Sequence, residues 1–533
     1  MSDLHTEANR PPGKLPETLP RTLIRSARRH PFRFAMADLR TPGLRFGSAL
    51  TRAVFLARRL KPLWQGQRMV GILLPPSVPG ALVNWAALLS GKIPVNLNYT
   101  ASEPVLASCA QQCGLQTVVT ARAFLDRVKI QAPGKAIFLE ELAERPRLGE
   151  KLKALWMAWA LPAAALERRL SEGNQTSLDD LATVIFSSGS TGDPKGVMLT
   201  HSNIASNIEQ VNCVFAFTGQ DRILGILPFF HSFGFTATLA LPAVLGVGAV
   251  YHPNPLDAAA IGSLVRRHRA TFLLATPTFL QTYLRRCSPE DFASLRFVVV
   301  GAEKLPEHLA VSFEDTFGIQ PMEGYGCTEC APVVAANAGS PRGNKRGTVG
   351  RPLPGVSVRI VDPETRQPLP VGQPGLLLVR GPNVMKGYLG QSDKTAEVLR
   401  DGWYTTGDVA ALDKDGFLTL TDRLSRFSKM GGEMVPHLHV EERLHQLIAA
   451  TEQVLVVTGV PDGKKGERLV VLHTLPQDKL QECLQRLPEA DLPNLWKPRP
   501  NQFFPIEAIP LLGTGKLDLR RVRALAQQLS ADP

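Results

Sequence analysis

One stretch constrains this chain more than any other, namely Ile185-Phe-Ser-Ser-Gly-Ser-Thr-Gly-Asp-Pro-Lys-Gly-Val197. It follows the apolar run 181–186, which has the composition of a buried strand. Glycines let the backbone turn tightly, and hydroxyls, amides and a lysine are the groups with which a loop holds a polyphosphate. The candidate phosphate-binding residues are Ser187, Ser188, Gly189, Ser190, Thr191, Gly192 and Lys195. The spacing does not fit G-x-x-x-x-G-K-[ST], so the loop is not a Walker A loop.

The order of apolar and amphipathic segments predicts the fold class. A chain of 533 residues is too long for one core, so we expect at least two domains. Strand-like runs such as 69–74, 116–120 and 297–300 alternate with helical segments, which predicts an α/β fold with a mostly parallel sheet. Residues 343–422 indicate a β-rich subdomain, because they contain short alternating runs among many glycines and prolines.

These patterns suggest domain boundaries. Residues 1–20 are rich in proline and are predicted to be a disordered lead. Residues 21–423 would form the large N-terminal domain, and residues 424–533 would form a small, mobile α+β domain that ends in a basic, leucine-rich helix.

Charge and cysteine content limit the partners and the compartment. The net charge is +12, but the basic residues are scattered and no nucleic-acid motif accompanies them, so we expect no nucleic-acid partner. An anionic lipid surface or an acidic protein partner fits the charge better. The chain has seven cysteines, and it has neither a signal-peptide pattern nor an apolar run of about 18 residues. We therefore expect reduced thiols and a cytoplasmic location.

Residues 145–170 contain a separate feature. The apolar run 154–166 includes Trp156 and Trp159, is interrupted by Pro162, and has basic residues on both sides. Its thirteen residues are too few to span a bilayer. The pattern is typical either of a segment lying in a membrane interface or of a helical excursion packed on the domain surface.

The glycine- and hydroxyl-rich stretch resembles the phosphate loop of the adenylate-forming superfamily, which includes acyl-CoA synthetases, luciferases and peptide-synthetase adenylation domains. Four later segments follow in the order of that superfamily, so the resemblance covers almost the whole chain. They are Gly301-Ala-Glu303, Glu323-Gly-Tyr-Gly-Cys-Thr-Glu329, Trp403-Tyr-Thr-Thr-Gly-Asp408 and Pro510-Leu-Leu-Gly-Thr-Gly-Lys-Leu-Asp-Leu-Arg520. The spacing Tyr-Gly-x-Thr-Glu in the second of these is the most specific.

The resemblance implies ATP and Mg²⁺ as cofactors and gives each matched residue a role. Tyr325 would stack on adenine, Thr328 would bond the α-phosphate, and Glu329 would hold Mg²⁺. The residues bordering the adenine would be Gly301, Ala302, Glu303, Glu323 and Gly324. Asp408 and Arg423 would contact the ribose.

The C-terminal segments would act in turn. The resemblance implies that Lys516 bridges the substrate carboxylate and the α-phosphate during adenylation. It also implies that the small domain then swings, so that the segment with Lys429, Gly431 and Gly432 approaches the phosphopantetheine thiol of acyl carrier protein or CoA. The residue two positions after Arg423 is usually an aspartate or lysine hinge in this superfamily, whereas this chain has Ser425.

The region 229–241 predicts the class of acid. It contains no acidic residue to hold an ammonium group, and its closely spaced aromatic and aliphatic residues favour an acyl-chain pocket. His231 is predicted to gate that pocket, with a satisfied core histidine as the alternative.

A narrower resemblance concerns three segments, 91–100, 231–235 and 425–436. They are similar to the acyl-carrier-protein synthetase half of the bacterial 2-acylglycerophosphoethanolamine acyltransferase/acyl-ACP synthetase, without its acyltransferase half. This resemblance implies a long-chain fatty acid–acyl carrier protein ligase, peripheral on the cytoplasmic face of the inner membrane. The alternatives are a long-chain fatty acyl-CoA ligase and, in another class, a nucleotide-binding, membrane-associated partner of a separate acyltransferase.

Overall fold

The computed structural model describes residues 17–144, 147–171, 173, 175–187, 194–339, 342–430, 433–450, 452–462, 466–511 and 517–531. The chain divides into two compact units. Unit 1 takes its residues from Met1–Ser188, Asp193–Val358 and Val379–Tyr404. Unit 2 takes its residues from Gly189–Gly192, Arg359–Leu378 and Thr405–Pro533.

The α-helices are, in chain order, α1 (Leu19–Arg29), α2 (Phe46–Leu60), α3 (Val78–Leu89), α4 (Glu103–Gln112), α5 (Arg122–Val128), α6 (Leu139–Ala143), α7 (Leu148–Ala160), α8 (Ala163–Leu170), α9 (His201–Phe215), α10 (Leu241–Leu245), α11 (Ala258–His268), α12 (Pro277–Arg286), α13 (Pro289–Phe292), α14 (Glu307–Phe317), α15 (Ser392–Val398), α16 (His437–Leu447), α17 (Gln477–Arg486) and α18 (Leu519–Ala531). A π-helix spans Gly234–Ala240. Short 3₁₀ helices span Lys61–Trp64, Thr328–Cys330, Leu424–Arg426, Leu487–Glu489, Asn494–Trp496 and Pro500–Gln502.

The strands are β1 (Phe34–Ala37), β2 (Leu44–Arg45), β3 (Met69–Ile72), β4 (Ile93–Asn96), β5 (Thr117–Thr120), β6 (Lys135–Phe138), β7 (Leu181–Ser187), β8 (Lys195–Thr200), β9 (Arg222–Gly225), β10 (Gly248–Tyr251), β11 (Phe272–Ala275), β12 (Phe297–Val300), β13 (Pro321–Gly326), β14 (Val333–Ala336), β15 (Arg351–Pro352), β16 (Ser357–Val361), β17 (Gly375–Arg380), β18 (Gly387–Tyr388), β19 (Leu399–Arg400), β20 (Trp403–Leu412), β21 (Leu418–Arg423), β22 (Phe427–Met430), β23 (Glu433–Pro436), β24 (Leu455–Asp462), β25 (Gly466–His473) and β26 (Phe503–Pro505).

Unit 1 is built on a nine-stranded sheet of order β15-β14-β13-β12-β11-β9-β10-β1-β2. The six central strands, from β13 to β1, are parallel, and antiparallel strands complete both edges. Strands β9 to β12 are short, apolar and almost wholly buried, as expected of a sheet covered on both faces. The α/β fold with a mostly parallel sheet, predicted from the sequence, is confirmed.

Two smaller sheets complete unit 1. One is parallel throughout and has the order β4-β3-β5-β6. The other has the order β18-β8-β7 and is antiparallel. In this second sheet β7 and β8 form a hairpin, so the phosphate loop predicted from the sequence joins two antiparallel strands.

Unit 2 contains strands of two sheets. In the first, unit 2 holds most of β16, β17 and β20, which are neighbours in that order, and all of β21, which is antiparallel to β20. The second sheet has the order β23-β22-β25-β24, with β26 beside β25. Alternate residues of β24 enter two separate cores: Leu455 and Val457 enter one, and Val456 and Val460 enter the other. This alternation buries both faces of the sheet, as a strand with period two requires.

Candidate active site

The strand before the predicted phosphate loop is present and positions the loop. Ser187 at the end of β7 pairs with Lys195 at the start of β8, so the hairpin brings both ends of the loop together. The Nζ of Lys195 lies 5.1 Å from the centroid of the Tyr388 ring, a cation–π distance. Six residues of the loop, 188–193, lie outside the described residues, so Ser188, Gly189, Ser190, Thr191 and Gly192 remain predictions.

Glu329, the predicted metal ligand, is held at both its side chain and its backbone. It is 9% exposed and lies in the 3₁₀ turn Thr328–Cys330 that follows β13. The Tyr388 hydroxyl donates a hydrogen bond to Glu329 Oε1 at 2.9 Å, and the Met385 N–H donates to the Glu329 carbonyl at 2.7 Å. The carboxylate therefore has a fixed position and a neutral donor.

Two buried phenols surround this carboxylate. Tyr404 hydrogen-bonds Tyr388, and both side chains are buried. Burial, followed by the negative charge of Glu329, raises the pKa of each hydroxyl above its ordinary value. Both hydroxyls consequently stay protonated at neutral pH and remain donors. Neither residue was predicted from the sequence, although the glycines on both sides of Tyr388, in Lys-Gly-Tyr-Leu-Gly, are a signal that could have indicated a functional segment.

Thr328, the predicted α-phosphate ligand, lies beside the predicted acyl-pocket segment. Ser232 Oγ donates to Thr328 Oγ1 at 3.2 Å, and Ser232 is the residue after His231. The structure thus brings together two motifs that are almost a hundred residues apart in the chain. Nothing in the sequence singled out Ser232.

The segment that contains His231 is apolar and buried. All residues of the π-helix Gly234–Ala240 are buried, and Phe229 and Phe230 are buried before it. A Cβ on Gly234 would lie 2.0 Å from the Pro228 carbonyl oxygen, so only glycine fits the start of this helix. His231 is partly exposed, and its ring centroid lies 4.8 Å from that of Phe230. His231 is thus not fully buried, and its role as a gate stays a prediction.

The residues predicted to border adenine lie after β12 and on the neighbouring strand β13. Gly301 and Ala302 follow β12, and Ala302 has a left-handed φ of 72°. A Cβ on Gly301 would lie 3.5 Å from the Gly324 carbonyl oxygen, so the two glycines are close. The Glu303 carboxylate accepts the Thr278 hydroxyl at 3.1 Å. Tyr325 is 8% exposed on β13.

Glu323 in the same strand has an unusual acidity. Its Oε1 accepts the Leu305 N–H at 3.3 Å, and burial raises the pKa of its carboxyl to about 7. That hydrogen bond and Lys304 act in the opposite direction but do not offset the burial. A carboxyl that titrates near neutrality is uncommon, and it could not be predicted from the sequence because it depends on burial.

In unit 2 the two predicted ribose contacts lie together. Asp408 on β20 and Arg423 on β21 are cross-strand partners, and Arg423 Nε lies 3.1 Å from Asp408 Oδ1. Asp408 is 7% exposed, and its N–H donates to Thr406 Oγ1 at 3.0 Å. The pairing of β20 with β21 therefore explains how two residues from separate motifs come to lie side by side.

A buried ion cluster occupies the segment after Arg423. Arg426 Nη2 bonds Glu441 Oε1, and Arg426 Nε lies 3.7 Å from Asp422 Oδ1. Backbone N–H groups of Leu438 and Val457 donate to the two carboxylates, each at 2.7 Å. Burial raises the pKa of Asp422 to about 6 in spite of Arg426. The side chain of Ser425, inside this 3₁₀ turn, lies outside the described residues.

The predicted thiol-side residues are only partly described. Lys429 on β22 is exposed, and its Nζ lies 2.6 Å from Glu364 Oε1. Its N–H donates to Glu467 Oε2 at 2.8 Å. Gly431, Gly432 and Lys516 lie outside the described residues, so their roles remain predictions.

Comparisons with known proteins identify the class of this chain. Residues 23–389 match the AMP-binding enzyme family. The feruloyl-CoA synthase of Amycolatopsis sp is 32% identical over 79% of this chain and 82% of that protein. A long-chain-fatty-acid–CoA ligase of Yersinia pestis is 28% identical over 86% of this chain and 85% of that protein.

Solved structures agree with the fold. The o-succinylbenzoate CoA synthetase of Bacillus subtilis, solved with its acyl-adenylate intermediate, has a TM-score of 0.79. It is 25% identical to this chain, of which the match covers 94%, and the match covers 97% of that structure. The same synthetase solved with ATP and a magnesium ion has a TM-score of 0.78 at 24% identity, over 94% and 98% of the two chains.

The chain therefore belongs to the AMP-binding enzyme family, as the sequence motifs predicted. Within that family it is an AMP-forming acid–thiol ligase. The relatives reported above do not include the narrower acyl-carrier-protein synthetase group, so that assignment stays a prediction.

Proposed function

We propose that this protein uses ATP to activate a long-chain fatty acid and then transfers the acyl group to CoA. The observation that carries the proposal is the acid-free segment 229–241, which is apolar, mostly buried and linked by Ser232 to Thr328. An amino-acid substrate would leave its ammonium group without a counter-charge from this segment, whereas an alkyl chain would find apolar walls. The long-chain-fatty-acid–CoA ligase among the relatives supports the same acid class.

The residues of unit 1 fit an ATP–magnesium complex. Mg²⁺ prefers carboxylate and phosphate oxygens, and Glu329 offers a fixed carboxylate whose bonded donor is a neutral phenol. Bound Mg²⁺ would neutralise phosphate charge. Lys195 and the loop residues would hold the β- and γ-phosphates, and Tyr325 would stack on the base. Within unit 2, Asp408 would accept hydrogen bonds from the ribose hydroxyls, and Arg423 would orient it.

The chemistry has two steps. A carboxylate oxygen forms a bond to the α-phosphorus, and the bond to the β-phosphate breaks so that pyrophosphate leaves. The thiol sulfur then bonds to the acyl carbon, AMP leaves with the electron pair of the acyl–oxygen bond, and the thiol proton is released. Two anions must meet in the first step, so positive charge and fixed geometry are the main contributions of the protein. Lys516 and Lys195 would supply that charge.

CoA is the acceptor that the relatives favour, because the related enzymes named above are CoA ligases or synthetases. The resemblance of the segments 91–100, 231–235 and 425–436 predicted acyl carrier protein as the acceptor. That acceptor remains the second candidate. CoA and acyl carrier protein present the same phosphopantetheine thiol, so the role proposed for Lys429 would be the same with either acceptor.

The test is AMP release and thioester formation with ATP, Mg²⁺ and palmitate, with CoA and holo-acyl carrier protein in parallel. Ferulate replaces palmitate in a matched arm, because one relative is a feruloyl-CoA synthase. We expect turnover with palmitate and CoA. Thioester on the carrier protein alone would reassign the acceptor, turnover with ferulate alone would reassign the acid, and no AMP with any acid would overturn the proposal.

A further inference from the structure

Helix α7 exposes large apolar side chains along its whole length. Five of its thirteen residues are large, apolar and exposed, by 72%, 55%, 47%, 53% and 39% in the order Leu148, Leu152, Leu155, Trp156 and Trp159. At 3.6 residues per turn these five fall within about 100° of the helix circumference. We refer to them as the apolar face of α7. A continuous exposed apolar surface of this kind marks an interaction site more often than scattered residues do.

The apolar face does not result from poor packing of the helix. The opposite side of α7 is buried through Ala154, Met157 and Ala158. Polar contacts with α1 and α2 also fix the helix in unit 1. Arg28 Nε donates to the Ala158 carbonyl at 2.9 Å, Arg58 Nη1 donates to the Glu150 carbonyl at 3.1 Å, and the Trp159 indole N–H donates to Thr51 Oγ1 at 3.4 Å. One side of α7 is thus packed against unit 1, and the apolar face on the other side is exposed.

The apolar surface continues beyond the helix. A Cβ on Gly47 would lie 2.9 Å from the Trp159 ring and 3.3 Å from Pro31 Cβ, so Pro31 and Trp159 meet at this glycine. Phe32, the next residue, is 79% exposed. Two tryptophans and a phenylalanine at one surface are typical of the water–lipid boundary, where aromatic rings are enriched.

The charges around the apolar face are basic. Lys151 and Lys153 are exposed and lie on the two opposite flanks of the face, and Arg147 precedes the helix. The single acid of the helix, Glu150, lies on the buried side and is bound by Arg59 at 2.7 Å. On α7 itself, cations therefore flank the apolar face on both sides, and the one acid of the helix faces away from it.

We propose that the apolar face of α7 is a docking surface for an anionic lipid bilayer. The helix would lie along the membrane, with its leucines and tryptophans among the acyl chains and its lysines at the lipid phosphates. Charge favours this occupant over a second copy of the chain, because two copies meeting at this face would bring their lysines together. The docking does not require the proposed acyl substrate, but it would place the enzyme where long-chain acids partition.

Vesicle flotation without ATP or acid tests the proposal on the full chain. We expect binding to vesicles of phosphatidylglycerol and phosphatidylethanolamine, weaker binding to phosphatidylcholine, and release by salt. The double variant Leu152→Ser/Leu155→Ser should lower the lipid partition coefficient by about tenfold or more. The matched control is Leu256→Ser, a leucine that is 50% exposed outside α7, and it should bind as the parent protein does.

Two further readouts locate the contact. Lys151→Glu/Lys153→Glu should weaken binding more than Lys394→Glu/Lys414→Glu, which changes the net charge equally at exposed lysines elsewhere. Brominated lipids should quench tryptophan fluorescence, and the quenching should largely disappear in Trp156→Phe/Trp159→Phe. Unchanged melting temperatures would show that the variants, all altered at exposed side chains, remain folded.

Three outcomes would overturn the proposal. The parent protein could fail to float with anionic vesicles, the leucine variant could float as the parent does, or sedimentation could show a dimer that this variant dissociates, which would assign the face to a second copy. Turnover of octanoate, which is soluble, should be equal in the parent and the leucine variant. Because flotation uses neither ATP nor acid, its result stands apart from any failure of the proposed reaction.

Discussion

At the scale of single residues, Tyr388 is the main addition that the structure makes to the motifs. It lies 59 residues after Glu329 and donates to its carboxylate. We expect Tyr388→Phe to raise the Mg²⁺ concentration needed for half-maximal AMP release by about 10- to 100-fold, because an orienting partner of a metal ligand is lost. Phenylalanine keeps the ring that lies beside Lys195, so the variant tests the contribution of the Tyr388 hydroxyl alone.

The matched control for this variant is Tyr283→Phe. The Tyr283 hydroxyl is also buried, and it donates to the Pro255 carbonyl at 2.7 Å rather than to a carboxylate of the candidate site. Its loss should cost about 1 kcal/mol of stability and leave the Mg²⁺ requirement unchanged. A Mg²⁺ titration of Tyr388→Phe that overlays the parent curve would remove Tyr388 from the list of positioning residues.

Glu323 gives a prediction about pH. The pKa of its carboxyl is raised to about 7 in the folded chain from an ordinary value of 4.5, so between these values the folded chain holds a proton that the unfolded chain has lost. The free energy of unfolding must then fall as pH rises through this window. We expect Glu323→Gln to be more stable than the parent at pH 8 by roughly 1–3 kcal/mol, and equal to it at pH 4.5.

Melting temperatures across this pH range would check the prediction. Glu397→Gln, at an exposed glutamate, is the control and should shift neither end of the profile. A Glu323→Gln profile parallel to that of the parent would show that the pKa of Glu323 does not differ between the folded and unfolded chains.

At the scale of elements, the patterns that depend on local sequence were predicted well. The strand at 297–300 has the predicted bounds, and the apolar run 181–186 extends by one residue to Ser187. A strand that is buried on both faces has apolar residues at every position, so four consecutive apolar residues are enough to recognise it in the sequence. Residues 148–170 form two helices, α7 and α8, broken at Leu161 and Pro162, and the side of α7 opposite the apolar face packs within unit 1.

Contacts between distant segments were not predictable in the same way. The β7–β8 hairpin was missed because β8 begins inside the motif itself, where glycine and lysine hide the strand pattern. Ser232 and Tyr388 were missed because an ordinary serine or tyrosine gains its role only from a partner on another element. The Asp422–Arg426–Glu441 cluster depends likewise on α16 packing beside β21.

That cluster leads to a prediction about unit 2. Arg426→Met would leave two buried carboxylates without their cation, which should cost about 3–5 kcal/mol of unfolding free energy at pH 7.5. Arg443→Met is the control, because Arg443 pairs with the exposed Asp491 and should cost less than about 1 kcal/mol. Denaturation monitored at both pH 7.5 and pH 5.5 should show a smaller deficit at pH 5.5, because the freed carboxyls can then take up protons. An equal deficit at both pH values would contradict the electrostatic account.

At the scale of the whole molecule, the two units carry different parts of the predicted machinery. Unit 1 contains Lys195, Thr328, Glu329 and His231, and unit 2 contains the predicted ribose contacts Asp408 and Arg423. A ligase that makes an adenylate and then a thioester needs positive charge at the carboxylate in the first step, when two anions meet, and much less in the second. The two half-reactions should therefore depend on Lys516 to different extents.

We expect Lys516→Ala to lower acyl-adenylate formation by at least about 100-fold, because one charge opposing the repulsion of the two anions is removed. Thioester formation from a supplied acyl-adenylate and the thiol should remain within about threefold of the parent rate, since that step adds no second anion to the site. Pyrophosphate release measures the first step, and thioester yield from synthetic acyl-adenylate measures the second. Lys479→Ala, at an exposed lysine paired with Glu482, is the control and should leave both rates unchanged. If Lys516→Ala slows the two steps equally, one lysine would serve both half-reactions, and the assignment of separate tasks to them would fail.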